Sequence, residues 1–582
     1  MTVIEYPKGP KCYNNCMSGY TGKSASIDLT TQKISIFETP DDLRTKYLGG
    51  RGIGVAMAGD RTAEEYNAPS MPLIFSAGPL VGTSAPTSGR MSVVSKSPLT
   101  GTIFDCSVGG RFATELKKAG FDLIEITGIS DKWTAIEISD DGLSLTEAEG
   151  LAGMNISELS RVVGTEGSFA AIGRAGEKGV RFASIIIDGH YAAGRGGLGA
   201  VMGAKKLKII KVRGSGKILV YDSEGLKNAR EDIMRLLRAS PAVFGEFGLS
   251  EFGTAALVDL IHARRMEPTD NFRRTFFPDS AKYSGYAMKT GYQTKKAGCA
   301  GCPVLCKKIG AEGAVMPEYE TVSHFGALNG CGDLKAIVEA NRICNDYGID
   351  TITAASTIAC YAEIRGIEAG PSEMLSLLSA IAEKKGETGA TLAEGSYRYA
   401  LSQGRPELSM SVKKLEMPAY DPRGAYGMAL AYATSNRGGC HLRAYPVSHE
   451  ILRKPVATDR FSFEGKARMI KIAEDLNAVV DSLTACKFLF FAAGLEEFSK
   501  VLNAVTGMDH NVQSLLAIGE RIWNLEHTIN AANGFDESHD DLPERFFAEE
   551  GSSGAAVRIP PINRKDFLKA RENYYRIRGY KT

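Results

Sequence analysis

Apolar and polar positions divide the chain into two regimes. From Ser24 to about Lys217, apolar residues alternate or bunch in short runs, the mark of strands. SASIDLTTQKISIFETP predicts a hairpin turning at Thr-Thr-Gln. Further strands are predicted at PLIFSAGPL, RMSVVSK, FDLIEITG, WTAIEISDDGLSLTEA, FASIIIDG and LKIIKVRG. Helices there are few, the clearest at 112–119 and 156–163. Beyond Gly216 the spacing changes to the three and four of amphipathic helices: SEGLKNAREDIMRLLRAS, LKAIVEANRICNDYG, 353–366, SEMLSLLSAIAEKKG, EGKARMIKIAEDLNAVVDSL and NVQSLLAIGERIWNLEHTINAA. No internal repeat and no long Pro/Ser-rich linker is visible. The pattern predicts an α+β fold. A β-rich domain covers 1–219, with 1–20 as an extra N-terminal segment, and two mainly α-helical domains follow at 220–410 and 411–582.

Composition adds little to this until glycine is counted. The 582 residues are 43% hydrophobic and 24% charged, and Lys+Arg at 69 against Asp+Glu at 68 leaves a net charge of +1. No global field for nucleic acid or an anionic membrane follows from that balance. The N-terminus lacks a basic stretch before an apolar one, and no apolar run approaches the roughly 18 residues of a membrane span. A cytoplasmic protein is expected, and in a reducing compartment its 11 cysteines read as packed side chains and metal ligands rather than disulfides. The 64 glycines are the anomaly, at about 11% against an ordinary value near 7%.

Many of those glycines stand beside isolated cations. Residues 78–101 carry Arg90 and Lys96, and 188–206 carry Arg195 and Lys205; LGGRGIGVA at 48–56 and SVGGRF at 107–112 extend the theme. Small residues that let backbone N–H groups approach a ligand, next to a cation, are the chemistry of phosphate cradling. None is a Walker A loop, and GRGGLG at 194–199 is a weak dinucleotide signal with no supporting acid. Tight β-turns are the plainer explanation for any one stretch; four together favour a large phosphorylated cofactor.

AGCAGCPVLCKK at 297–308 places Cys299, Cys302 and Cys306 in one tight loop. Such spacing suits an iron–sulfur cluster or zinc, each wanting a fourth ligand. Cys12, Cys16, Cys106, Cys331, Cys344, Cys360, Cys440 and Cys486 are all open as that fourth.

GTSAPTSGR–SVVSKSPLTG, AAGRGGLGAVMGAKKLK, CAGCPVLC, PEYE, GIDTIT, PAYDPRGAYG, NRGGCH and DSLTAC occur in that order. Together they resemble the aldehyde:ferredoxin oxidoreductase family of tungsten bis-pyranopterin enzymes, over roughly residues 21–582. The resemblance implies a pseudo-twofold, two-sheet pterin-binding domain with two helical domains closing over the metal. It implies a [4Fe–4S] cluster on Cys299, Cys302, Cys306 and Cys486, and a magnesium ion between the two pterin phosphates. Arg90 matches the arginine between cluster and pterin. Ser107, in place of the family's asparagine, and Ala192 match positions whose carbonyls face the magnesium. Gly109, Gly110, Gly194 and Arg195 belong to the same cradles. The family's pterin motif, Asp-x-x-Gly-Leu-Asp/Cys, stands here as NDYGID and DSLTAC. Asp350 and Asp481 match it, and Asn345 replaces an aspartate with an amide; Arg443 and Ala485 complete the cofactor-binding set.

The same resemblance selects Glu320 and His441 as the catalytic pair and Tyr420 as an added hydrogen-bond donor. Glu318 and Glu320 face opposite sides if EYE is extended, so one is expected to point at the metal. His324, one helical turn past Glu320, is within reach of the pocket but matches no functional position. An aldehyde oxidase needs a base for water and a donor for the carbonyl, roles that a buried carboxylate and imidazole can fill. The implied reaction turns an aldehyde and water into a carboxylic acid. Electrons leave through pterin and cluster to ferredoxin or an iron–sulfur subunit, within an oligomer or complex. A nicotinamide-linked reaction requires a further flavin or NAD subunit, since neither fingerprint is present. Cys12 and Cys16 fall outside the resemblance, as metal ligands, a redox-subunit contact or free thiols. The competing expectations are reduction of an aromatic acyl-CoA and a non-catalytic zinc-stapled protein.

Overall fold

β1 (Lys23–Asp28), β2 (Lys33–Glu38), β3 (Leu73–Ser76), β4 (Met91–Lys96), β5 (Ile103–Val108) and β6 (Leu123–Thr127) form one sheet in the order β2-β1-β6-β3-β4-β5. β7 (Thr134–Ser139), β8 (Gly142–Glu147), β9 (Ser168–Ala171), β10 (Ile185–Ile187), β11 (Tyr191–Ala193) and β12 (Leu207–Val212) form a second, ordered β11-β10-β9-β12-β7-β8. These come from a computed structural model that describes residues 18–554 and 557–580, so Cys12 and Cys16 lie outside the described residues.

The two orders are the same order, each strand standing six places after its counterpart. In each sheet a hairpin (β1–β2, β7–β8) joins the rest through one parallel pairing (β1–β6, β7–β12). The chain therefore contains a duplicated unit, the pseudo-twofold that the resemblance implies, although no repeat marks it in the sequence. Strand pairing demands only a period-two pattern and short turns, so two copies can keep one topology without any motif in common. β3 is buried at every position and β4 at all but its last, which is why LIFS and MSVVS read as unbroken runs. The edge strands β5 and β11 lie against each other, with the Cys106 thiol donating to Arg195 O at 3.2 Å. The ends of both halves thus reach one place.

After residue 212 the described chain is mostly helical. Asp333 and Asp350 cap the helices Leu334–Tyr347 and Thr351–Arg365 by accepting backbone N–H groups of the first turn. The helices Lys466–Ser482 and Val512–Ala532 pack on each other and on the helix Gly50–Ala58. LGGRGIGVA is thus a helix rather than a ligand loop, and its glycines serve close packing. A Cβ on Gly50 would lie 2.5 Å from Asp481 O, and one on Gly52 would lie 3.0 Å from Ser482 Oγ. One apolar core joins the regimes, from Ile27, Phe75 and Ile136 to Ile358, Tyr420 and Phe567. Among the described residues no helix is long and apolar enough to cross a membrane.

Candidate functional site

The end of β5 and the segment after β11 occupy equivalent places in the duplicated unit and carry most of the candidate cradle. Arg90 Nε donates to Ser107 Oγ at 2.8 Å and its Nη2 to Ser107 O at 2.6 Å, which fixes the guanidinium along β5. Ala192 is exposed at the matching position of β11, and a Cβ on Gly194 would find no atom nearer than 3.8 Å. Arg195 stitches this edge to the helical region. It donates to Gly439 O at 2.8 Å and Glu416 O at 2.6 Å, and its Nε lies 3.4 Å from Asp350 Oδ2. Asn345 is half-buried in the last turn of Leu334–Tyr347, just ahead of Asp350. Lys96 and Lys205, grouped with the cradles in sequence, are elsewhere. Lys96 caps Glu64 O at 2.9 Å near the surface, and Lys205 is buried on Gly128 O at 3.3 Å.

The cysteine loop is gripped between β13 (Lys295–Ala297) and β14 (Lys307–Ile309), and it presses directly on the glycine stretches. A Cβ on Gly109 would sit 2.3 Å from Cys299 Sγ, and one on Gly89 would sit 2.6 Å from Ala300 O. Only glycine admits that approach, whatever the backbone angle. From the far side, Cys486 N donates to Thr87 O at 3.0 Å, next to the same loop. Cys302 and Cys306 each feel Cys486 and Cys299, so the three thiols of the loop and the sequence-distant Cys486 share one locality. Burial pushes Cys302 up to about 11 and raises Cys306 and Cys486 as well. Arg90 lies within the field of Cys486, Cys299, Asp481 and Cys306; burial opposes its charge, and these neighbours outweigh burial and hold it protonated.

Glu318 and Glu320 go different ways. Glu318, the extended residue before the helix Tyr319–Phe325, is exposed and ion-paired to Lys307 at 2.6 Å. Glu320, in the first turn, points inward: its Oε2 accepts from Ala419 N at 2.9 Å and its Oε1 lies 3.5 Å from His441 Nε2. Glu320 Oε1 and His441 Nδ1 are buried without a hydrogen-bond partner. Burial lifts the Glu320 carboxyl to about 8 against the pull of Ala419 N and Arg195. Burial also drives His441 far below the usual histidine range, helped by Arg195, Arg437 and Lys487. At neutral pH the pair is a protonated acid facing a neutral imidazole. Aromatic rings wall it: Tyr420 at 5.6 Å from the His441 ring, and Tyr445 at 6.1 Å. The Tyr420 and Tyr445 hydroxyls meet at 3.3 Å. His324 is spent on carbonyls, its ring nitrogens at 2.7 Å from Glu320 O and 3.1 Å from Met417 O.

Two family models cover nearly the whole chain: aldehyde ferredoxin oxidoreductase, N-terminal domain, over residues 24–214, and aldehyde ferredoxin oxidoreductase, domains 2 & 3, over 228–582. The chain belongs to the aldehyde ferredoxin oxidoreductase family. It is 40% identical over 597 residues to a tungsten-containing aldehyde ferredoxin oxidoreductase of Pyrococcus furiosus, covering 97% of each chain. It is 40% identical over 600 residues to the protein of that description in Thermococcus kodakarensis, again over 97% of each. At 28% identity it matches an aliphatic sulfonate oxidoreductase, WOR-like subunit, of P. furiosus, over 97% of this chain and 95% of that one. Among solved structures it resembles the active site complex BamBC of benzoyl coenzyme A reductase, with TM-score 0.83 over 97% and 95% of the chains; at 22% identity this speaks to the fold. As a member of this family the protein is an oxidoreductase.

In this aldehyde ferredoxin oxidoreductase family member, a layer of buried charge backs the site, joining Asp481 and Arg443, named by the resemblance, to Arg51, Asp105, Lys487 and Glu526, which sequence reasoning missed. Arg51 pairs with Glu526 at 2.6 Å and reaches Asp481 at 3.5 Å; Arg443 pairs with Asp105, and Lys487 with Asp481 at 2.8 Å. Asp481 Oδ1, Asp105 Oδ2 and Arg443 Nε remain buried and unpartnered. Cys440 accepts from Arg437 Nη2 at 2.9 Å; burial would raise its thiol, and Arg437 and Arg443 outweigh burial to bring it to about 7. One signal was available: NRGGCHLR concentrates Arg437, Cys440, His441 and Arg443, and charged residues among glycines seldom serve packing alone.

Proposed function

We propose that this chain is a tungsten-dependent enzyme that oxidises an aldehyde with water to a carboxylic acid. On this reading Cys299, Cys302, Cys306 and Cys486 would hold a [4Fe–4S] cluster, which would supply the electron route to ferredoxin or an iron–sulfur partner subunit in a cytoplasmic complex. The observation that carries it is the buried Glu320–His441 pair, with an unpartnered oxygen and an unpartnered nitrogen among aromatic rings. The tungsten-containing relatives and the family match support the same chemistry.

The residues fit the implied cofactors. Unpartnered Asp481 Oδ1 and Arg443 Nε offer an acceptor and a donor to a pterin, and Asp350, Asn345 and Ala485 stand in the two matching motifs. The equivalent ends Ser107–Gly110 and Ala192–Arg195 would suit two phosphates related by the duplication, and the carbonyls of Ser107 and Ala192 would be available to the magnesium ion that the resemblance implies. Cys299, Cys302, Cys306 and Cys486 supply four soft donors. Four thiols with no histidine among them suit an iron–sulfur cluster, as the resemblance implies. The division at 219 and 410 then assigns the cradles, the cysteine loop, and the His441 and Cys486 segments to successive domains.

A tungsten bis-pyranopterin, when bound, supplies two-electron redox chemistry. The chain's own part is proton handling and positioning. Glu320, ionised near pH 8, takes a proton from water or from the aldehyde hydrate. Neutral His441 holds its partner, and Tyr420 orients the substrate oxygen. Arg90, tied to Ser107 and flanked by the thiols, is the link between cradle and cluster. Reduction of an aromatic acyl-CoA is the competing reading, and the acid–imidazole pair favours aldehyde oxidation over it.

Metal analysis of the purified enzyme with an aldehyde panel and benzyl viologen tests the proposal. Tungsten, iron and aldehyde-dependent dye reduction are expected, and Glu320→Ala should lose turnover while keeping both metals. Retained turnover in that variant refutes the catalytic role; colourless protein holding only zinc refutes the whole reading.

A further inference from the structure

Beside the cysteine loop stands an ion pair that aldehyde oxidation does not use. β14 begins at Lys307, immediately after Cys306. The Lys307 side chain is 13% exposed, with its ammonium 2.6 Å from Glu318 Oε1 and 5.6 Å from the centroid of the Tyr191 ring. The Tyr191 hydroxyl donates to Gly298 O at 2.7 Å, so the ring that carries the ammonium is itself anchored to the cysteine loop. Glu318 is 53% exposed and held by the start of the helix that bears Glu320. Cys306 and Cys299 are among the groups that Lys307 feels, and Glu318 is among those that Cys306 feels. Two opposite charges are therefore fixed next to the same thiols by separate elements, one on β14 and one on the Tyr319–Phe325 helix.

We propose that the Lys307–Glu318 ion pair sets the reduction potential of the iron–sulfur cluster held by Cys299, Cys302, Cys306 and Cys486, and so the ease with which electrons leave the enzyme. The inference rests on the cluster reading above. Reducing such a cluster by one electron adds one negative charge to it. A nearby cation stabilises the reduced form and raises the potential, whereas an anion lowers it. While the two are paired, their effects largely cancel. Removing either unmasks the other. Lys307 adjoins a ligand and is mostly covered, while Glu318 is open to water and more strongly screened, so the lysine has the larger effect. Arg90 and Lys308, the latter bonded to Leu305 O at 2.8 Å, stay the same in every variant and do not alter the sign. The ring of Tyr191 keeps the ammonium near the loop even when the carboxylate is gone.

Glutamine matches both side chains roughly in length and removes only charge. The test is an anaerobic redox titration of purified holoenzyme, following the reduced cluster by electron paramagnetic resonance. Lys307→Gln should lower the midpoint potential, Glu318→Gln should raise it by less, and the double variant should fall between the two. Iron content and circular dichroism equal to wild type establish that each variant has folded and loaded. Should a variant fail to load, Lys307→Met and Glu318→Ala carry the same signs. Shifts of one sign in both single variants, or no shift in either, overturn the proposal while leaving the cluster in place. A wild-type protein with no cluster signal after reduction overturns the cluster reading itself, and the proposal with it.

Discussion

Replacing Glu320 by glutamine removes a titrating carboxyl but keeps a side-chain oxygen for Ala419 N, which Glu320 Oε2 now accepts at 2.9 Å. Burial lifts this carboxyl from 4.5 to about 8. If the ionised form is the base, about 1% of the enzyme is competent at pH 6, about 10% at pH 7 and about half at pH 8. Wild-type kcat/KM for an aldehyde should then climb about tenfold from pH 6 to pH 7 and level off above 8. A positioned base contributes roughly 10²–10⁴-fold, so E320Q should lose about that factor at pH 8 and show a flat profile below it. The stability sign is separate and runs the other way. The folded state holds the proton between 4.5 and about 8 while the unfolded chain releases it, so wild-type stability falls as pH rises through that window. E320Q lacks that fall, and its resistance to thermal inactivation should gain on wild type from pH 5 to pH 8. Benzyl viologen reduction at saturating dye, across buffers of constant ionic strength, measures the kinetic profile. A flat wild-type profile between pH 6 and 8, or an E320Q profile that still climbs tenfold per unit, refutes the assignment.

Three further outcomes follow from the packing. Arg51→Met strands Glu526, Asp481 and Asp105 in the interior and should cost about 3–5 kcal/mol, read as a fall of several degrees in the melting curve; an unchanged curve would show that the network is not stabilising. Gly109→Ala forces a methyl to 2.3 Å from Cys299 Sγ, so iron per chain should drop while circular dichroism holds, and full iron content would disprove the contact. Cys486→Ser should lose iron to the same extent as Cys306→Ser despite its distance along the chain; loss in Cys306→Ser alone would remove Cys486 from the ligand set.

The strands were legible because their patterns are local. The helix predicted at 156–163 and the hairpin at 24–40 appear as Ile156–Val163 and β1–β2. The duplication entered only through resemblance, as an implied pseudo-twofold, since strand order is a property of pairing and leaves no trace in spacing. Residue types also left open what each glycine does. Gly109 and Gly89 prove to be contact points for the cysteine loop, and Gly50 and Gly52 contact points for Asp481 and Ser482. The cysteine triplet was plain from spacing, whereas Cys486 entered only through resemblance, because Thr87 O brings it to the loop through the tertiary fold. The buried charges were least visible. Arg51 is fully buried although arginine is ordinarily a surface residue, and only its partners, Asp105, Asp481 and Glu526, explain it.

The matched strand orders also have a kinetic meaning. On the proposed function, a ligand with two similar heads, one at the end of β5 and the other at the end of β11, would be held by two sites that abut, because these strands lie against each other. When one head lets go, the other keeps it close, at an effective concentration in the millimolar range or above. Rebinding then outruns escape, and the overall hold exceeds that of either half by about 10²–10⁴-fold. Damage to one cradle alone should therefore loosen such a ligand without releasing it, and loss from the folded chain requires both halves to open at once.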